Sequence, residues 1–368
     1  MLRITTSGVL KSYRLNLTKS HSNLLKAQNT VLTQRTFNSY SEDPAKASEC
    51  FTLRRAFLRT SAQESTSQAV ISQYEVAWNT LDTVISDVSN RQASSAFASV
   101  MQSLNSPTGT GRTALGDSLN QMAESLTQAM NVKYGDNYVF AGSNGLNAPF
   151  SWDGDQLCYQ GIPVDTPDCT GLAVGDALPD GSTVTQEQLD NWNMLQKLES
   201  DTRYVDIGLG MQEDENGDLI TASAFNSSMP GIKYLGYGTD EDGMPNNVIS
   251  ILKRMGTILS RCEEDGNWSK AHPDDQAEME KLFSKLSDVS NKLSDKHVEM
   301  DTQAAFLKTN QEQLENTAYT LNEQIVGLEQ VDLAEAISSF SWAQYCYNAA
   351  LKVGNGILSE TLMDFMSR

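Results

Sequence analysis

Apolar residues recur every three or four positions over both ends of the chain and lose that rhythm in the middle. Near the start, Leu10, Tyr13, Leu17, Leu24, Ala27 and Val31 follow helical steps, with Ser20 at the missing step. Asp43-Pro44 predicts a helix start, because Asp can cap and Pro fits the first turn. Ile71, Tyr74, Trp78, Leu81, Ile85 and Val88 continue the pattern. After the loop SPTGTG at 106–111, Leu115, Leu119, Met122, Leu126 and Ala129 mark another helix. The C-terminal arm mirrors this, with one stripe of Met279, Leu282, Leu286, Val289 and Leu293 and another of Leu314, Ala318, Leu321, Ile325 and Leu328. The seams turn polar around Glu64 and Ser67 in one arm and around Lys296 and Gln311 in the other. Such stripes are seams of coiled coils or bundles, and the simplest arrangement pairs the two arms with each other.

The middle punctuates differently. Residues 45–106 and 274–326 hold neither Gly nor Pro, whereas fifteen of the 24 glycines fall in 135–245. YVFAG (138–142), RYVDIGLG (203–210) and KYLGYG (233–238) carry strand signals. The expected fold is therefore mainly α, with long antiparallel helices from both termini and an inserted β-rich domain. The expected layers are a terminal helical pair (1–40 with 329–368), a helical bundle (41–134 with 246–328) and an acidic β-rich domain (135–245).

The last forty residues are apolar on two sides. Leu333, Ile337, Phe340, Tyr347, Leu351, Leu358, Leu362 and Phe365 form one stripe, with Gln344 and Gly354 as gaps. Ala336, Trp342, Cys346, Ala349, Val353 and Ile357 form a second. A helix apolar on two faces must bury both. One partner helix of the same chain covers one face. The other face needs either another protein or the interior of a larger core, and both readings stay open here. Leu10, Tyr13, Leu17, Leu24 and Val31, together with Leu333, Ile337, Phe340, Tyr347, Leu351, Leu358, Leu362 and Phe365, are the expected packing residues.

Composition narrows the function. With 39% hydrophobic residues in 368, real cores are available. A net charge of −20 argues against a nucleic-acid partner, whose phosphates it would repel. The charge is uneven, with nineteen acids against three bases in 135–245 and six bases without an acid in 1–40. A basic N-terminal arm and a mildly acidic C-terminal arm would attract each other. The first residues lack the continuous apolar run and cleavage site of a secretory signal, and no stretch is apolar enough to span a membrane. Read as a transit peptide, the basic start would have to break an apolar spacing that runs on smoothly.

Five cysteines (Cys50, Cys158, Cys169, Cys262 and Cys346) fit neither zinc spacing nor a C-x-x-C pair, and read as small hydrophobes. His21, His272 and His297 show no helical pairing, and no phosphate loop or nucleophile elbow occurs. Asp214–Asp218 and Asp240–Gly243 faintly resemble calcium loops but lack the closing glutamate, so acidic turns are expected. No catalytic residue, metal ligand or cofactor is predicted.

Several segments resemble the flagellin superfamily, and within it the family of hook–filament junction proteins (the hook-associated protein 3 family). They are Arg3-Ile4-Thr5, Gln34-Arg35, Ser41-Glu42-Asp43-Pro44, Tyr134–Gly142 with Ala148-Pro149-Phe150, Val331–Ala336 and Leu362-Met363-Asp364-Phe365. At 36–40 the chain has Thr-Phe-Asn-Ser-Tyr where the family carries a small basic motif. The resemblance implies an extracellular structural subunit of the flagellum, exported unfolded through the flagellar secretion channel without a cleaved signal. It implies packing against the first hook-associated protein, flagellin and copies of itself, and an export chaperone on the C-terminal helix, with no membrane insertion. Filament flagellin itself is the alternative within the class. A non-flagellar coiled-coil adhesin or signalling module is the alternative outside it.

Overall fold

The computed structural model describes residues 6–89, 92, 94–105, 111–178, 181–263 and 267–366, with side chains from 8 to 356 among them. Arg3-Ile4-Thr5 and most of the 106–111 loop lie outside the described residues. The chain divides into two compact units, Met1–Ala62 with Leu314–Arg368, and Gln63–Gln313. No helix is long and apolar enough to cross a membrane, among the described residues.

The first unit is built from α1 (Thr6–Thr33), the start of α2 (Pro44–Val88), the end of α8 (Asp275–Glu329) and α9 (Leu333–Met366). Gln34, at φ 54°, ends α1 in the left-handed region. The Asp43 carboxylate accepts the Lys46 N–H at 3.1 Å, the cap read from Asp43-Pro44. Asp332 caps α9 in the same way, accepting the Ala334 N–H at 2.7 Å.

The second unit holds the large core. Its helices are the rest of α2 and α8 together with α3 (Ala96–Asn105), α4 (Arg112–Met130), α5 (Gln186–Glu199), α6 (Gly231–Leu235) and α7 (Val248–Ser260). One continuous core includes Tyr74, Leu81, Leu126, Ile251, Met255 and Leu286 from the helices and Phe140, Phe150 and Tyr159 from the turn-rich segment. Helices α4 and α7 pack backbone to backbone. A Cβ on Gly116 would lie 2.8 Å from the Gly256 carbonyl oxygen, so only glycine fits there.

The turn-rich segment is a set of short antiparallel strands. Lys133–Tyr134 (β1) and Asn137–Tyr138 (β2) pair across Gly135-Asp136, with Gly135 at φ 61° as a tight hairpin requires. Phe150–Asp153 (β3), Gln156–Tyr159 (β4) and Ile162–Pro163 (β5) form a sheet in that order. Tyr204–Val205 (β6) pairs with Phe225–Asn226 (β7). The 138–142 and 203–210 expectations thus meet strands only in part. The 233–238 expectation is overturned: Lys233–Leu235 belongs to α6, which Pro230 opens and Gly236 closes. Asn247 holds that end by donating to the Gly236 carbonyl at 2.8 Å. The helix α5 was not anticipated, although Thr185 and Gln188 form a full capping box at its start.

Candidate assembly interface

The residues singled out for packing lie on α1 and α9, which run antiparallel and close together. Three contacts fix the register. The Thr36 N–H donates to the Glu329 carbonyl at 2.7 Å, the Val331 N–H donates to the Gln34 carbonyl at 3.2 Å, and the His21 and Tyr347 rings stand 5.4 Å apart. Farther along, the Tyr13 ring lies over Gly354, so that any Cβ there would run into it. At the base, the Glu329 carboxylate takes Arg54 Nη2 at 2.6 Å and the Cys50 thiol. Burial alone would raise the Glu329 carboxyl, but hydrogen bonds from Arg54 and Cys50 hold it below the usual range.

On α1 the half-buried face is Leu10, Tyr13, Leu17, Ser20, Leu24, Ala27, Thr30 and Val31, the stripe read from the sequence with its polar step, joined by Thr30. On α9 the covered line is different. It runs Ala336, Phe340, Ala343, Tyr347, Ala350 and Gly354, between the two apolar stripes, with Cys346 and Ala349 of the second stripe also half-buried. Of the expected α9 residues, Phe340 and Tyr347 fall in this seam. Leu333, Ile337 and Leu351 stand on one flank, 43–48% exposed. Trp342, Tyr345 and Val353 lie on the opposite side, 59–68% exposed, with the Trp342 and Tyr345 rings stacked at 5.9 Å. Leu358, Leu362 and Phe365 lie outside the residues whose side chains are described.

The alanine spacing 336, 343, 350, followed by Gly354, was the missed signal. Small residues let two helix backbones approach, so that Leu333, Ile337 and Leu351 stand beside the seam while Phe340 and Tyr347 stay in it. The gap that Gly354 left in the stripe is a contact point for Tyr13. Among the described residues no ion pair joins α1 to α9, and Glu360 and Asp364, two of the acids of the C-terminal arm, lie outside the residues whose side chains are described.

Elsewhere, side chains serve the fold. The Asp214 carboxylate accepts the Asn216 and Asp218 N–H groups of its own turn. Asp240 accepts the Asp242 and Met244 N–H groups and takes the Lys285 ammonium, while Lys281 reaches Asp242 at 3.1 Å. Lysines from α8 thus answer the second acidic turn. No group of three or more His, Cys, Asp or Glu is placed to hold a metal ion, among the described residues. The five thiols are free. Burial pushes Cys50, Cys158, Cys169 and Cys262 above the ordinary thiol range, which makes them poor nucleophiles.

No family model matches the chain, and no curated protein is similar to it. Among solved structures, it is similar to a chain from Vibrio parahaemolyticus described as a flagellar hook-associated protein. That match has a TM-score of 0.52 and 16% identity, over 78% of this chain and 99% of the other. A second similarity is to Bacillus cereus FlgL, with a TM-score of 0.43 and 17% identity, over 75% of this chain and 99% of that one. Long helices from both ends around a middle of short antiparallel strands are common to this chain and the Vibrio parahaemolyticus chain, and the two share a fold.

Proposed function

We propose that the chain is a structural subunit of the bacterial flagellum, acting as the adaptor between hook and filament. Its partners in this reading are the first hook-associated protein, flagellin and further copies of itself, with an export chaperone on α9 before assembly. The observation that carries the proposal is the uncovered apolar surface on α9. After α1 has taken the alanine seam, Leu333, Ile337 and Leu351 on one side and Trp342, Tyr345 and Val353 on the other stay open to solvent. Patches of this kind mark association surfaces, and two of them on one helix call for more than one neighbour. The family resemblance of the sequence and the likeness in fold to a hook-associated chain supply the flagellar context.

Complementation of a strain lacking the gene tests this. Ile337→Asp combined with Leu351→Asp should give a folded protein that is exported but not incorporated, with unpolymerised flagellin shed into the medium. Normal filaments and swimming would sink the proposal. Immunogold labelling of intact flagella separates the two readings within the class: a junction subunit labels one point next to the hook, a filament subunit the whole shaft.

A further inference from the structure

One face of α7 gathers cations in a unit where acids outnumber bases. Ser250, Arg254, Thr257 and the C-cap Arg261 follow steps of four, three and four, so they share that face, and Lys253 borders it. With Asp155 in the turn between β3 and β4, Asp165 after β5 and Thr239, they line a groove of about 340 Å³. Small-molecule sites span about 300–1,000 Å³, so this one is sized for a small ligand. The cations are not equally engaged. Arg254 is held by the Glu278 carboxylate and donates to the Gly243 carbonyl at 2.9 Å. Lys253 lies 3.4 Å from Asp155, whose side chain is 92% exposed, and stands over the Trp152 ring. Arg261 is exposed and donates to the Thr257 carbonyl of its own helix at 3.3 Å. Among the described residues no ion pair reaches it. Farther in, the buried Ser250 hydroxyl lies beside the half-buried Asp165.

We propose that this groove binds a hydroxylated carboxylate the size of a hexuronic acid, with its carboxylate on Arg261 and Lys253 and its hydroxyls on Asp165, Ser250 and Thr257. Each part of the lining narrows the ligand. A cation would meet three cations. A neutral sugar would leave the Arg261 guanidinium without a counter-charge, although a guanidinium holds a carboxylate by two parallel hydrogen bonds. Sulfate offers acceptors alone, which Asp155 and Asp165 would repel. A hydroxyl group donates as well as accepts, and so turns Asp165 from a repelling group into a partner. Two sources share this chemistry: a free hydroxy acid, and the acid sugar at the end of a polysaccharide.

The test is titration of the full chain with sodium D-glucuronate, followed through the amide chemical shifts of residues 239–261. Wild type should show saturable shifts in the millimolar range. D-glucose, which lacks the carboxylate, and acetate, which lacks the hydroxyls, should each bind about tenfold more weakly. Arg261→Gln, at an exposed position, should weaken glucuronate about tenfold and leave the circular dichroism spectrum unchanged. Lys253→Gln should weaken it as well. No saturable shift in wild type overturns the proposal. So does glucose or acetate binding as tightly as glucuronate, or Arg261→Gln binding like wild type. The methyl glycoside of glucuronate then names the source: binding equal to the free acid points to a polysaccharide end, and loss of binding to a free hydroxy acid. None of these outcomes depends on α1 or α9, so the junction proposal stands or falls separately.

Discussion

Single residues set the tolerances of both units. The carboxyl of Asp165 is pushed up to about 6 by burial, against the pull of Ser250, Arg254 and Lys285. The folded state therefore holds this proton more tightly than the unfolded chain, whose Asp titrates near 4. Stability from this group is complete below that value and is lost as pH rises through about 6. Asp165→Asn should remove the cost, stabilising the protein at pH 7.5 by at most about 3 kcal/mol and leaving it unchanged at pH 3.5. Urea titrations of both proteins at the two pH values check this; an equal gain at both would mean that burial of the charge is not the cause. Gly354 is the corresponding point in the terminal pair. Gly354→Val would force the Tyr13 ring aside and should cost the α1–α9 contact about 1–3 kcal/mol. Adding Tyr13→Ala should recover part of that loss, so the double variant costs less than the sum of the singles, as read from amide exchange along α1.

Elements differ in how closely they approach, and glycine decides it. At the crossing of α4 and α7, the atoms that a Gly116 Cβ would meet are backbone, which cannot turn away. Gly116→Ala should therefore lower the melting temperature, at a cost of about 1–3 kcal/mol. Gly327, on α8, has open space around the same position, and Gly327→Ala should raise stability by about 0.4–1 kcal/mol through the unfolded chain. Equal effects at the two sites would show that the close crossing is not what constrains Gly116. The sequence made the α1 face legible because that face follows one simple period, broken by few polar residues, Ser20 and Thr30. It misplaced the α9 seam because apolar size was weighed above backbone approach: Ala343 and Ala350 bury little surface themselves but decide where the partner helix lies. The 233–238 segment looked like a strand for its tyrosines and glycines. It folds as a helix because Pro230 opens it locally and two tertiary contacts, Gly231 packed on Phe150 and the Asn247 clamp on Gly236, fix its ends.

At the scale of the whole molecule, charge and burial divide along the same line. Residues 1–62 with 314–368 carry twelve Lys or Arg and ten Asp or Glu, whereas residues 63–313 carry fifteen against thirty-seven. The acidic unit thus holds the whole net charge and repels its like, while the terminal unit is close to neutral and free to associate. Burial is just as unequal. Among the described side chains of α1 none is fully buried, and in α9 only Ala336 and Gly354 are, while the other unit encloses the extended core around Phe140, Leu126 and Leu286. A helix held by one partner along one seam opens far more readily than helices fixed on several sides. Limited trypsin digestion of the dilute monomer should therefore cut first at Lys11, Arg14, Lys19, Lys26 and Lys352, which are all exposed. A resistant fragment containing residues 63–313 should remain, although lysines and arginines on its surface are equally available in sequence. In the assembled state the same terminal sites should become resistant, because neighbours then cover the flanks of α9. Cleavage in α4 or α7 while Lys11 and Lys19 survive in the monomer would show that the terminal pair is stable alone. Its exposed apolar residues would then no longer signal a surface completed by assembly.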